Sequence, residues 1–346
     1  MPDGFDAFLA EFSVSYSSRD VEALLAGART LRVLAVGEAI IDEYVYCETM
    51  GKAGKEPILA SRYVSRERFA GGILAVANHA AAMSENVRVM TVLGDEESHE
   101  DFIRSHLNPI VDASFLTMPG APTIVKTRFI EIYPLQKLFE MYVMKHPIAE
   151  PEASRRLAEE LRAILPSFDV VVVADYGHGM IDDHVVETLA ERARFLAINT
   201  QMNAENRGFN TVSKYPRADF ISVSETEMRL EARSRHRDLR QIVADVAGRM
   251  SCPRILVTRG SQGCLFYSDA EGFFDLPALT THVVDRVGAG DAVLAVTAMC
   301  AAQEAPAVLL GTIGNAVGAQ MVGAVGNSFA FDPAALLESF SALLPA

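Results

Sequence analysis

Asp291 closes a run of small residues, Asp285-Arg286-Val287-Gly288-Ala289-Gly290-Asp291, and the apolar segment Ala292-Val293-Leu294-Ala295-Val296 follows at once. Two glycines and an alanine let the backbone turn tightly and leave its N–H groups uncovered. An apolar run suited to a helix adds the positive end of a helix dipole, and the combination makes an anion-binding site. A carboxylate at the edge of such a site repels a phosphate, so it needs a reason to be there. Taking a proton from an attacking hydroxyl is one.

Other residues invite chemistry but also permit plainer readings. Gly71-Gly72 precedes an apolar helical pattern that contains Asn78. Gly37-Glu38-Ala39-Ile40-Ile41-Asp42 ends an apolar run, and Asp42 read alone is a solvated loop aspartate. Ser224-Glu225-Thr226-Glu227 has the spacing of a capping box. Thr258-Arg259-Gly260-Ser261-Gln262-Gly263 reads as a turn between strands. Lys126, Arg128 and Lys137 sit where edge strands often carry cations for solubility. Gly51-Lys52-Ala53-Gly54-Lys55-Glu56 lacks the spacing of a phosphate-binding P-loop and has no helical pattern after it.

Elements must bring these residues together. Short apolar runs at 31–37, 87–93, 170–174, 195–198, 220–223 and 255–258 read as buried strands, with helical patterns at 73–83, 153–165, 182–193 and 239–250 between several of them. That alternation predicts an α/β fold: a doubly wound, mostly parallel sheet with helices on both faces. His282-Val283-Val284 reads as a further strand leading into the glycine loop. Residues 43–70 and 122–145 break the alternation and predict a small inserted β lid, the second part an antiparallel hairpin. Residues 1–30, with Phe5, Phe8, Leu9 and Phe12 at helical spacing, predict a helical appendage to a body at 31–346, packed on that body or on a second subunit.

Bulk properties narrow the partners. A net charge of −14 over 346 residues argues against nucleic acid and anionic membranes. No apolar run reaches the ~18 residues of a membrane helix, and the N-terminus lacks a basic leader region. The four cysteines show no ligand spacing and read as reduced, buried thiols. These point to a cytoplasmic protein.

Taken in order, the motifs resemble those of the PfkB, or ribokinase-like, family of sugar kinases, over most of residues 31–330. The family carries D-T-x-G-A-G-D near its C-terminus; here Arg286 stands at the Thr and Val293 near a usual Phe. The resemblance implies that Asp291 is the catalytic base and that the N–H groups of Gly288, Ala289 and Gly290 stabilise the transferring phosphoryl group. It implies acceptor contacts from Asp42, Gly71 and Gly72, with Asn78 one turn beyond Ala75, where the family has Asn. Ser224 and Glu227 match N-x-x-E, with Glu227 placing Mg2+ through water; Thr258, Gly260 and Gly263 match the T-x-G-x-x-G turn along ATP, and Asn315 a residue near the nucleotide pocket.

Within the family, residues 123–130 and 136–139 look like the lid of the heptose-7-phosphate kinase branch. Lys126 and Arg128 would then meet the substrate, as would Asp175 of Asp175-Tyr176-Gly177-His178-Gly179, which resembles that branch's D-Y-x-K-G. His178 replaces the Lys, and Asn199-Thr200-Gln201 replaces a D-P-K. The resemblance implies an ATP- and Mg2+-dependent kinase of a sugar or sugar phosphate; the open edges of the lid sheet and the N-terminal appendage predict a homodimer. No H-x-G-H signature is present, so the nucleotidyltransferase fused to that branch would be a separate partner. Two alternatives stay open: an unphosphorylated sugar or nucleoside as acceptor, and a non-catalytic relative that binds a sugar, a nucleotide or another enzyme.

Overall fold

The computed structural model describes residues 5–145 and 151–344. The chain begins with α1 (Phe5–Ser15) and α2 (Ser18–Ala28), then runs through β1 (Arg32–Gly37), β2 (Ala39–Lys52), β3 (Leu59–Gly72), α3 (Ile73–Ala81), β4 (Asn86–Gly94), α4 (Glu100–His106) and β5 (Asp112–Met118). It continues with β6 (Ile124–Glu131), β7 (Gln136–Val143), α5 (Pro151–Ile164), β8 (Val170–Asp175), α6 (Asp183–Arg192), β9 (Leu196–Thr200), β10 (Phe220–Ser224), α7 (Glu225–Glu231) and α8 (Leu239–Arg249). It ends with β11 (Arg254–Thr258), β12 (Cys264–Ser268), β13 (Gly272–Leu276), α9 (Ala289–Ala302), α10 (Ala307–Met321) and α11 (Pro333–Leu343).

The main sheet has nine strands in the order β13-β12-β11-β10-β9-β8-β1-β4-β5. From β5 to β11 every pairing is parallel, and β12 and β13 add an antiparallel edge. β1 and β8 lie inside the sheet, so both faces of each are covered. That is why they read as unbroken Val, Leu and Ala runs rather than as alternating patterns. The chain steps from β1 to β4 and β5 in one direction, and from β8 through β9 and β10 to β11 in the other. Right-handed crossovers then put α3 and α4 on one face and α6 and α8 on the opposite face, and α9 packs beside α3. The reversal falls between β1 and β8. Beyond the carboxyl ends of these two strands is where a ligand of such a sheet binds.

The lid is a second sheet, ordered β3-β2-β6-β7. β2 leaves the body one residue after β1, and β3 returns it at Gly72, directly into α3. The outer strands β3 and β7 are largely exposed while β6 is largely buried. At the other end, α1 and α2 pack on the body: Phe12 meets Phe340 of α11 at 6.4 Å between ring centroids, and α2 touches α9. All four cysteines are free and buried. No helix among the described residues is long and apolar enough to cross a membrane.

One expected strand is absent. His282-Val283-Val284 is irregular and exposed, its backbone tied instead by Val284 and Asp285 N–H groups to the Val322 carbonyl at the end of α10. With no neighbouring strand to pair with, the β-branched residues alone do not make one.

Candidate active site

Gly288 caps the N-terminus of α9 in the left-handed region, at φ 83°. A Cβ there would lie 1.8 Å from Asn327 Oδ1, so only glycine fits. Ala289, Gly290 and Asp291 form the first helical turn, whose N–H groups have no intrahelical acceptor. They open onto a cleft of ≈ 420 Å³ also lined by Ser224, Glu227, Thr258, Gly260, Gly263 and Asn315. The anion loop and all six residues expected to hold a nucleotide thus share one wall.

Local chemistry explains how each arrives there. Ser224 and Thr258 are register partners at the carboxyl ends of adjacent parallel strands. Ser224 caps α7, and Glu227 accepts from the Ser224 N–H at 2.8 Å, completing a capping box. The other oxygen of Glu227 accepts from the Met202 N–H at 3.1 Å. Burial raises the pKa of this carboxyl. The amide of Asn315, on α10, donates to the carbonyls of Leu276 and Pro277 and holds the end of β13 in place.

The lid carries the acceptor-side candidates, two of which, Asp42 and Lys126, act electrostatically on Asp291 at the edge of this cleft. Asp42 on β2 is register partner to Lys126 on β6, and Tyr44 to Arg128. Arg128 forms a buried ion pair with Asp42 and a second with Glu140 at 2.9 Å. Removing one partner of such a pair strands the other charge, at about 3–5 kcal/mol. A Cβ on Gly71 would lie 2.0 Å from Asp42 Oδ2, so the glycine makes room for that carboxylate. Gly72 caps the N-terminus of α3. Lys126 is buried, with its ammonium 5.1 Å from the Tyr142 ring centroid and 5.5 Å from that of Tyr176. Burial lowers its pKa, and the largest attraction opposing that is Asp42. Among the described residues, no carboxylate forms an ion pair with it.

Asp291 lines this cleft and also feels the lid residues Asp42 and Lys126. Its Oδ1 accepts from the Tyr176 hydroxyl at 2.6 Å. Burial pushes its pKa up to about 7; the carboxylates of Asp42 and Glu227 add to the rise, while Tyr176 and Lys126 oppose it. The group is therefore poised to exchange a proton near neutral pH.

Asp175 and Asn78, two of the expected acceptor contacts, are engaged with other protein groups. Asp175 is buried at the end of β8, paired with Lys214 and accepting from the Tyr215 hydroxyl at 2.7 Å and the Gly177 N–H at 3.0 Å. Its carboxylate braces the loop after β8 instead of facing the cleft. Asn78 spends its amide on the His106 carbonyl (2.9 Å) and the Asn108 N–H (2.8 Å), tying α3 to the segment after α4.

Several roles were not visible in the sequence. Glu38, fully buried with its pKa raised by burial and by Asp175, accepts from the N–H groups of Tyr176 and His178 at 3.0 and 3.1 Å. Lys137 on β7 pairs at 2.6 Å with Asp285, which also accepts from the Tyr44 hydroxyl at 2.5 Å and from the N–H groups of Arg286 and Gly326. Burial would raise the pKa of Asp285, but Lys137 and these donors outweigh it and hold it low. Lid and anion loop are thereby latched through one carboxylate. The acidic residue opening the glycine loop was the visible signal; its partners lie far away in sequence.

A glycine-rich helix N-terminus lining a cleft, with a β lid latched to it through Asp285, fits a phosphoryl-transfer enzyme, and comparison with known proteins agrees. Residues 30–334 match the pfkB family carbohydrate kinase model. The chain belongs to this family and is a carbohydrate kinase of the PfkB type. Its curated relatives include the bifunctional protein HldE of Azotobacter vinelandii, 29% identical over 301 residues, and that of Campylobacter jejuni, 26% identical over 314. The matched regions cover 86% and 87% of this chain but 61% and 63% of those proteins, so the chain spans about three fifths of their length. Among solved structures, phosphofructokinase-2 from Escherichia coli in complex with fructose-6-phosphate aligns over 91% of this chain and 99% of its own, with TM-score 0.71 and 13% identity. Ribokinase of Arabidopsis thaliana complexed with ribose and ATP aligns over 89% and 99%, with TM-score 0.63 and 16% identity. At these identities the two structures bear on the fold alone.

Proposed function

We propose that the protein transfers the γ-phosphoryl group of ATP to a hydroxyl of a sugar phosphate of heptose-7-phosphate type. The observation that carries this is the position of Asp291: a half-buried carboxylate with pKa about 7, set between the free N–H groups of α9 and the cations of the lid. Asp291 takes the proton of the acceptor hydroxyl. The N–H groups of the Gly288–Asp291 turn stabilise charge on the transferring group. Ser224, Thr258, Gly260, Gly263 and Asn315 line the nucleotide. Gly290 is open on the side where a side chain would project: a Cβ there would meet nothing within 4 Å, which leaves space for phosphate against the backbone. Mg2+, when bound with ATP, neutralises phosphate charge. Glu227 suits a role through water, because both its oxygens already accept protein N–H groups.

At the acceptor end, Asp42 accepts from sugar hydroxyls. Gly71 and Gly72 let the sugar approach, and Lys126 meets the acceptor's phosphate. The HldE relatives support the heptose phosphate class. The apolar side chains left exposed on β3 and β7, including Tyr63 and Phe139, support a homodimer formed through the lid. The charge balance and buried thiols favour the cytoplasm.

A second reading, an unphosphorylated sugar as acceptor, has one observation in its favour. Arg128 and Lys137 already neutralise Asp42 and Asp285, so of these three lid cations Lys126 alone is left to meet a phosphate. ADP release measured over sugars with and without a terminal phosphate separates the two. The proposal expects kcat/KM for a heptose 7-phosphate at least tenfold above that for the free sugar; equal or reversed values contradict it.

A further inference from the structure

The partner of Asp291 is itself unusually well held. Tyr176 follows β8 at the point where the sheet reverses direction, and only 3% of it is exposed. Its N–H donates to Glu38 Oε2 at 3.0 Å. Its carbonyl accepts from the Asn203 and Asn206 amides at 2.6 and 3.0 Å. Its ring carries the Lys126 ammonium at 5.5 Å from the centroid. Three elements thus fix the phenol before it reaches Asp291 at 2.6 Å.

We propose that Tyr176 is a positioning residue for phosphoryl transfer: its hydroxyl holds Asp291 Oδ1, so that Oδ2 receives the acceptor's proton and the carboxylate is ionised when the acceptor arrives. The inference rests on the proposed function and assigns a residue that the family motifs leave without a role. In the step itself, the acceptor O–H bond breaks and its proton passes to Oδ2. The acceptor oxygen bonds to the γ-phosphorus, and the bond to the bridging oxygen breaks, with its electron pair leaving on ADP. Tyr176 keeps its own proton throughout: burial and the neighbouring Asp291 carboxylate hold its pKa well above the ordinary phenol value. The other charged groups acting on Asp291 are Asp42 from β2, Lys126 from β6 and Glu227 from α7. Arg286, on the approach to α9, lines the same cleft. Lys126 also favours the ionised form, but Tyr176 does so by a direct hydrogen bond, and bonds to charged acceptors are the stronger kind.

The test is Tyr176→Phe, read in two ways. The first is the pH profile of kcat/KM with the best acceptor found. The acidic limb is expected to move up by about one pH unit, giving a loss of about tenfold at pH 6 that shrinks to within about threefold at pH 9, with the KM for ATP unchanged. A loss that is the same at every pH, or an unmoved limb, overturns the proposal. The second needs no turnover: the carboxyl resonance of Asp291 in protein labelled with 13C-aspartate, assigned by its absence from Asp291→Asn, is followed with pH. It is expected to titrate at higher pH in Tyr176→Phe. A chain that phosphorylates no acceptor while this titration moves contradicts the proposed function and upholds the Tyr176–Asp291 linkage; an active chain whose titration stays put contradicts the linkage alone. If Tyr176→Phe does not fold, wild-type chain labelled with 3-fluorotyrosine, a stronger donor, takes its place, and the Asp291 titration must then move to lower pH.

Discussion

Asp291→Asn should make the protein more stable above neutral pH. Burial raises this carboxyl from 3.8 to about 7 in the folded chain, so the folded state binds its proton more tightly than the unfolded state does. The sign follows from linkage. Below the unfolded value both states are protonated and the group costs nothing. As pH climbs from about 4 to about 7 the unfolded chain ionises first, and stability is lost; above about 7 the penalty is complete. Three pH units correspond to about 4 kcal/mol. The carboxylate is only partly shielded from solvent, so about 2–4 kcal/mol is the expected range. Asparagine keeps the shape and can still accept from Tyr176, so the difference isolates the charge. Urea unfolding at pH 8 should show Asp291→Asn more stable by that amount, and at pH 4.5 the gap should nearly close. A variant no more stable than wild type at pH 8 would refute the reasoning, for it would mean that the site does not penalise the charged form. A base held at the expense of stability is the trade expected where function dictates the residue.

Gly288→Ala forces a side chain into the left-handed region and against Asn327. It should cost about 1–2 kcal/mol in backbone strain, read by urea unfolding, and at least 100-fold in kcat as the anion loop shifts. Lys126→Met should raise the KM for a phosphorylated acceptor at least tenfold and leave the KM for ATP unchanged; equal effects on both would remove Lys126 from the acceptor site. Lys137→Met unlatches the lid from Asp285. ATP hydrolysis without acceptor should then rise severalfold relative to transfer, because lid closure excludes water.

Much of this architecture is legible in the chain because its physics is local. Strands covered on both faces must be apolar throughout, and β1, β8 and β10 announce themselves that way. The grouping of Ser224 and Thr258 in one cleft is readable for a similar reason: each ends such a strand, and the fold delivers strand ends to one edge of the sheet. What the sequence hides are protein partners distant along the chain. Asn78 looked free to meet a sugar, but a carbonyl and an N–H some 28 and 30 residues away claim it. Asp175, expected to meet the substrate, is paired with Lys214 and accepts from Tyr215, 39 and 40 residues further along the chain. The valines before Asp285 have strand propensity and no strand to pair with. The Tyr176–Asp291 bond spans 115 residues, and nothing near either residue points to the other.

The central claim is that Asp291 is the base for phosphoryl transfer. It is tested most directly by measuring ATP-dependent phosphorylation of the best acceptor by Asp291→Asn, with nucleotide affinity determined on the same sample. Turnover should fall by about 10²- to 10⁴-fold, with ATP affinity within about threefold of wild type. Turnover within tenfold of wild type, on a variant that binds ATP normally, would contradict the account.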